Sequence, residues 1–249
     1  ALQAKVYMYK GDWQNARDAA LDVVTNSGYA IVSAANFEAY WKNPTPVTAK
    51  GETMFEISLD AANNLQTTSL AYMYEQIGYG DLLVSDSLYQ KYSATDVRRS
   101  LILAGTRSSL PVWILNKYSN TNSTDKDDVK IMRISEVVLI LAEAYYRLND
   151  EANALLYLNQ LAKLRDPAFA GYTSSGAQLL EDIITERRKE LLGEGDRFQD
   201  LQRLNRVIER GAEYPAQART IATDNPKRIQ PIPQVERDAN PNISQNSGY

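Results

Sequence analysis

The 249-residue chain contains no cysteine and no histidine. The first absence excludes disulfides, thiolate nucleophiles and thiolate metal sites, and leaves the redox compartment open. The second removes the side chain that most often serves as a general base near neutral pH, so histidine triads and imidazole zinc sites are excluded. Carboxylate-only chemistry and oxygen-ligated calcium remain. Long apolar runs are also missing: nothing approaches the roughly 18 residues of a membrane-spanning helix. A formal net charge of -4 offers no basic field for nucleic acid or an anionic membrane. There is no phosphate-cradling glycine loop and no dinucleotide fingerprint. The chain opens ALQAKVYMYKGDW, with neither an initiating methionine nor a signal peptide. It reads as a processed, trimmed or partial chain, so the lack of a leader says nothing about location.

Apolar residues make up 44% and charged residues 23%, the composition of a globular protein with a real core, and we expect a single domain over residues 1–249. Tyrosine is plentiful, with 16 copies beside 3 tryptophans and 4 phenylalanines. These rings pack between helices, and they also suit a surface that binds something polar with apolar faces.

The pattern predicts a mainly α fold, with helical hairpins, an irregular middle and a short β hairpin or strand. Residues 1–10 and 12–26 read as a helix pair turning at Gly11, with Leu2, Val6, Tyr9 and Trp13 on one stripe. Ala4, Tyr7, Gly11, Asp12 and Ala16 recur as Ala142, Tyr145, Asn149, Asp150 and Ala154. In each copy small alanines let helix axes approach, a residue tolerant of the left-handed conformation ends one helix, and an aspartate caps the next. This is a tetratricopeptide-like design, expected over 1–28 and 131–164. The second copy's stripe runs Ile131, Ile134, Val138, Leu141, Ala142 and Tyr145, and its partner helix runs from Glu151 to Leu164. The segment 29–128 reads as irregular and ligand-facing, with a turn at Asn43–Pro46, a strand in GETMFEISLD and a short helix after Asp86. Residues 177–249 read as a helix pair, from about Ala177 to Leu192 and from Asp196 to about Arg210, followed by a proline-bearing strap.

Two constellations carry possible chemistry. Glu186, Arg187, Glu190, Glu194, Arg197, Asp200 and Arg203 read as a structural ion network. Their spacing along one helix does not set two acids across a cleft, as glycoside hydrolysis requires, so no catalytic residue is expected. Trp41, Tyr72, Tyr74 and Tyr79, with Gln76 and Asp81, are the candidate ligand-binding residues: flat rings stack on sugar faces while amides and carboxylates hold hydroxyls. The acidic loop with Asn120, Asn122, Asp125, Asp127 and Asp128 lacks the glycine and terminal glutamate of an EF-hand and reads as solvated, so neither metal nor cofactor is expected.

The chain resembles the SusD/RagB family of Bacteroidetes outer-membrane lipoproteins. The resemblance rests on Lys130-Ile131-Met132-Arg133 with Glu136, Leu141-Ala142-Glu143-Ala144, Glu186-Arg187-Arg188 with Glu190-Leu191, and Glu194-Gly195 with Arg197, Asp200-Leu201 and Arg203-Leu204. It closes on Pro231-Ile232-Pro233, Glu236, Asn240-Pro241, Gln245-Asn246 and Gly248-Tyr249. The resemblance implies a non-enzymatic, lipid-anchored protein on the cell surface. Such a protein captures oligosaccharides, or in some branches peptides, for a SusC-like TonB-dependent transporter. It also implies that the lipidation cysteine and an N-terminal portion are absent from this chain, leaving the first hairpin with an exposed apolar face. A helical-repeat interaction scaffold without a small ligand and a peptide-binding member of the family are the alternatives. A carboxylate-dependent hydrolase ranks below them.

Overall fold

Two helical hairpins of one design frame the first part of the molecule. The computed structural model describes residues 1–42, 51–60, 62–75, 77–80, 82–121, 127–211 and 214–249. Helix α1 (Leu2–Lys10) ends at Gly11, whose φ of 72° is left-handed, and α2 (Trp13–Asn26) opens on Asp12, whose side chain accepts the Asn15 N–H. The later pair repeats this, with Asn149 at φ 62° and Asp150 accepting the Asn153 N–H at 3.1 Å. Ala4, Ala16, Ala142 and Ala154 are all fully buried, so the alanines sit where the helix axes come close. The expected stripe on α1 is turned the other way. Leu2, Val6 and Tyr9 are exposed, and the buried face is Ala4 and Met8.

The intervening segment is more ordered than its sequence implies. It contains α3 (Ala34–Lys42), β1 (Thr53–Ile57), α4 (Leu70–Tyr74), α5 (Asp86–Tyr89), and a hairpin of β2 (Ile102–Arg107) with β3 (Leu110–Leu115). Ser108 and Ser109, both at positive φ, form the two-residue turn between β2 and β3. Phe37, Trp41, Ala71, Val84, Leu88, Tyr92, Leu101, Ile102, Leu115 and Tyr118 give this segment its own core. The turn expected at Asn43–Pro46 lies outside the described residues.

Strand β4 (Val129–Arg133) pairs antiparallel with β1. This corrects the expected helical stripe: Ile131 lies on the strand and is 44% exposed, and the helix begins at Ile134. Extended backbone at Arg133 breaks the helical run, and the Ile134 N–H goes to Glu52 O at 2.9 Å. The alternation in β1 is present, but Phe55 and Ile57 face solvent.

From there α6 (Ile134–Arg147) runs through the middle of the unit, with every residue from Ile134 to Ala144 buried. One side meets α1 and α2 through Ile134, Val137, Ile140 and Leu141. The other meets α7 (Glu151–Arg165) and α8 (Gly176–Glu190) through Val138, Leu139 and Ala142. Each large apolar side chain buried this way contributes about 1.5–3 kcal/mol.

The chain falls into two compact units, Ala1–Gly195 and Asp196–Tyr249, so the boundary lies inside the segment read as helix pair and strap. The second unit holds α9 (Asp196–Arg203), β5 (Ile208–Glu209), α10 (Ala216–Arg219), β6 (Thr220–Ile221) and α11 (Gln234–Ala239). The expected helix to Arg210 stops at Arg203, followed by Asn205 at φ 48°. The closing motif has a physical reading. Pro231 and Pro233 have no N–H, so between them only Ile232 can donate. Gln245 meets both its groups: Oε1 accepts the Ile232 N–H at 2.8 Å, and Nε2 donates to its carbonyl at 3.0 Å. Asn246 Nδ2 donates to Gln230 O at 2.7 Å, and the Tyr249 hydroxyl donates to Ile229 O at 2.9 Å.

Candidate functional site

Beneath the aromatic segment lies a buried ion network. Asp96, Glu52, Glu186, Glu190 and Glu194 meet Arg98, Lys117, Arg133, Arg165 and Lys189, and all ten side chains are buried. Five acids thus face five bases. Arg133, at the junction of β4 and α6, donates to Glu194 Oε2 at 2.9 Å, Glu190 Oε1 at 3.0 Å and Ser135 Oγ at 2.6 Å, and also to Glu52. Arg165 forks onto Glu190, with Nε to Oε2 at 3.0 Å and Nη2 to Oε1 at 2.9 Å, and reaches Glu52 Oε2 at 2.9 Å. Burial works to raise the Glu190 pKa, but Arg165, Arg133 and Arg98 overcome it and hold the carboxyl well below its ordinary value.

Of the expected ion-network residues, Glu186, Glu190 and Glu194 lie in this cluster. Arg187 pairs with Glu136 at 3.0 Å beside it. Asp200 and Arg203 pair at 2.8 Å within the second unit, which also contains Arg197. Sequence reading missed Glu52, Lys117, Arg133 and Arg165 as members because each lies tens of residues from its partners. Asp96 and Arg98 carried a local signal: the aspartate caps the Arg98 N–H at 3.1 Å and takes its guanidinium at 2.7 Å.

Lys117 is buried between Glu194 (2.5 Å), Leu192 O (2.9 Å) and the Trp41 ring (3.9 Å). Burial pushes its pKa down to about 8, with Glu194 opposing and Arg133 assisting. Below pH 8 both folded and unfolded amines are charged, and the cost of burying the ammonium is fully present. As pH rises from about 8 toward 10.5, the folded amine loses its proton first, so this group's contribution to stability rises with pH. Urea denaturation from pH 7.5 to 9.5 is therefore expected to show a stability increment that Lys117→Met lacks. A pH-independent difference between the two proteins would refute it.

The six candidate ligand residues separate into distinct environments. Trp41, on α3, is 2% exposed and lies in the aromatic core, edge-on to Tyr118 at 6.0 Å. Its indole N–H has no partner among the described residues, and Lys117, Lys130 and Arg133 surround its ring. Tyr74 turns inward too, stacking on Tyr118 at 5.9 Å, and burial followed by Glu194 raises its pKa. Tyr72 is half-buried on α4, and Tyr79 is 47% exposed in the following loop. Gln76 and Asp81 lie outside the described residues.

That loop is fastened to its scaffold. The Gly80 N–H donates to Tyr72 O at 3.2 Å, and Arg107 from β2 donates to Gly80 O at 3.1 Å and Glu75 O at 2.7 Å. A Cβ at Gly80 would sit 1.5 Å from the Arg107 guanidinium, and φ there is 53°, so the turn requires glycine. The loop and the β2–β3 hairpin thereby present one surface. Its other aromatic feature brings in Trp113, which the sequence reading passed over: Tyr89 and Trp113 stack with ring centroids 3.5 Å apart, and the indole N–H donates to Asp86 Oδ1 at 2.7 Å. The Val84–Trp113 bridge that creates this pair joins segments 29 residues apart, with no local pattern to announce it. Among the described residues, no group of three His, Cys, Asp or Glu side chains could hold a metal ion, and no helix is long and apolar enough to cross a membrane.

Residues 109–249 match the model of the SusD family. The SusD-like protein P25 of Formosa agariphila is 23% identical over 308 aligned residues, covering 100% of this chain and 58% of that protein. A SusD superfamily protein from Bacteroides vulgatus superposes with a TM-score of 0.88 at 29% identity, over 100% of this chain and 58% of that one. Surface glycan-binding protein A from Bacteroides thetaiotaomicron shares the fold at a TM-score of 0.74 and 22% identity, over 98% of this chain and 62% of its own. The chain therefore spans a little over half the length of these relatives.

Proposed function

The chain belongs to the SusD family, and from that membership we propose that it captures oligosaccharides at the outer face of the outer membrane, for import through a SusC-like TonB-dependent transporter. Family members are non-catalytic binding proteins, and a surface glycan-binding protein shares this fold. The whole protein is read as lipid-anchored, with the α1–α2 and α6–α7 hairpins as tetratricopeptide-like scaffolding.

The observation that carries the reading is the aromatic surface of the middle segment: half-buried Tyr72 on α4 and exposed Tyr79 on the following loop, which Arg107 pins, beside the partly exposed Tyr89–Trp113 stack. Rings held in place by such contacts lose little entropy when they meet a pyranose face. Of the original candidates, Tyr72, Tyr79, Gln76 and Asp81 are retained as ligand contacts, and Trp41 and Tyr74 are assigned to supporting that surface from within.

The test is isothermal titration of the chain against a panel of oligosaccharides and peptides. Tyr79→Ala and Tyr72→Ala are each expected to weaken glycan binding by roughly tenfold, the scale of one lost aromatic contact. Unchanged affinity in both would remove the site from this surface. The interaction-scaffold reading has its own support in the exposed stripe of Leu2, Val6 and Tyr9. Stable capture of a transporter together with no saccharide binding would favour it.

A further inference from the structure

Arg188 differs from the other arginines buried in the first unit. Arg98, Arg133 and Arg165 are desolvated, yet their pKa values are raised because carboxylates surround them. Arg188, on α8, has only two hydroxyl contacts, with Nη2 at 3.3 Å from Ser85 Oγ and 3.5 Å from Ser87 Oγ. Among the described residues no carboxylate meets it. Burial lowers its pKa, opposed only by Tyr92. Both contacts use Nη2, and among the described residues its Nε and Nη1 meet no partner. A half-buried guanidinium with donors left over and no carboxylate beside it is a ready partner for an anionic group.

The place where this occurs is informative. Ser85 and Ser87 flank Asp86, the residue that holds the Trp113 indole N–H. Arg188 therefore borders the Tyr89–Trp113 stack. At Tyr89 the Arg99 Nε donates to the phenol oxygen at 3.0 Å, with its guanidinium carbon 4.7 Å from the ring centroid. Arg99 too has no carboxylate partner among the described residues. Among the described residues the patch thus sets Arg188 and Arg99 beside Asp86, and an Asp86 oxygen is already occupied by the indole.

We propose that this surface takes an acidic oligosaccharide, with the Tyr89–Trp113 stack against a sugar ring and Arg188, assisted by Arg99, receiving an anionic substituent of the sugar. The inference rests on the glycan reading above and specifies its ligand class. Both a uronate carboxylate and a sulfate ester present oxygens that accept hydrogen bonds from a guanidinium. The hydroxyls of Ser85 and Ser87 meet one nitrogen of the Arg188 guanidinium, Nη2, and leave Nε and Nη1 as donors for the ligand.

The test uses two matched ligand pairs titrated into the chain: oligogalacturonate against its methyl ester, and a sulfated galactan fragment against its desulfated form. The acidic member of at least one pair is expected to bind about tenfold more tightly or better, the scale of a charge-assisted hydrogen bond. That advantage should shrink as sodium chloride is raised. The pair showing it identifies carboxylate or sulfate as the anion. Arg188→Gln is expected to bring the ratio of acidic to neutral affinity toward one, and Arg188→Lys, which keeps charge but not the fork, to restore only part of it. Trp113→Ala should weaken both members of a pair. Equal binding of acidic and neutral members overturns the acidic-ligand proposal and leaves the glycan reading standing. Binding of neither, alongside a correctly folded chain, overturns both.

Discussion

Arg133→Met is expected to destabilise the first unit by about 3–5 kcal/mol, the cost of removing one partner from a buried ion cluster. Its guanidinium donates to three carboxylates and to the Glu190 carbonyl, and its carbon lies 5.0 Å from the Trp41 ring centroid. Removing it leaves Asp96, Glu52, Glu186, Glu190 and Glu194 with four bases. Glu190 keeps Arg165 and Arg98, but Glu194 retains Lys117 alone among these cations. Lysine at position 133 is expected to recover little, because a point charge cannot serve Glu194 and Glu190 together as the planar fork does. Urea denaturation followed by far-UV circular dichroism measures the difference, and a loss below about 1 kcal/mol would contradict the network's structural role. The sign in acid follows from Glu190. Its folded pKa lies below its unfolded value, so its contribution is present above the unfolded pKa and is lost as pH falls through the folded one. With one of the cations holding that pKa down removed, the variant should lose stability at a higher pH than the parent.

The network also shows where sequence reading reaches its limit. Glu186, Glu190 and Glu194 are legible together because they recur every four residues. Glu52 is not: it is one acid at the edge of a strand, and its partners Arg133 and Arg165 come 81 and 113 residues later. The hairpins were legible because their requirements are local. An alanine where helices cross, a left-handed Gly11 or Asn149, and a capping Asp12 or Asp150 each follow from backbone chemistry within one turn. Ile131 misled because it falls in phase with the α6 stripe. Only the pairing of its strand β4 with β1, together with the Glu52 carbonyl that takes the Ile134 N–H, reveals that the helix has not yet begun. The β2–β3 hairpin stayed hidden because its turn is Ser108-Ser109, which carries no Asn-Gly or Asp-Gly signal.

The aromatic residues posed a different problem. Tyr79 and Trp41 both stand among polar neighbours in sequence, and each suits a ligand surface or a core equally well. Tertiary packing decides between them. Tyr79 follows the tight turn onto Tyr72 O and stays exposed, whereas Trp41 enters the core among Phe37, Ala71 and Tyr118. Trp113 was overlooked for the same reason in reverse. Its partner Tyr89 comes from a separate short helix, so neither residue announces the stack alone.

Trp41→Ala is accordingly expected to cost about 3–5 kcal/mol of stability, the range for deleting a buried large aromatic side chain. The cavity would open beside Tyr118, and the amine of Lys117 would lose the ring face 3.9 Å away while remaining buried. Trp41→Phe keeps much of the volume and a quadrupole for the cations, and removes an indole N–H that has no partner among the described residues. It should therefore recover a substantial part of the loss. The contrast with the surface residues makes the prediction discriminating. At a temperature where Trp41→Ala remains folded, its glycan affinity should stay within about twofold of the parent, while Tyr79→Ala loses roughly tenfold with little change in stability. Differential scanning calorimetry with titration on the same samples separates the two effects. Parental stability with abolished binding in Trp41→Ala would bring the indole back to the ligand and require the core around Phe37 to open. Lost stability with retained binding assigns Trp41 to the floor beneath the site, where its surrounding cations tie the ligand surface to the buried ion network.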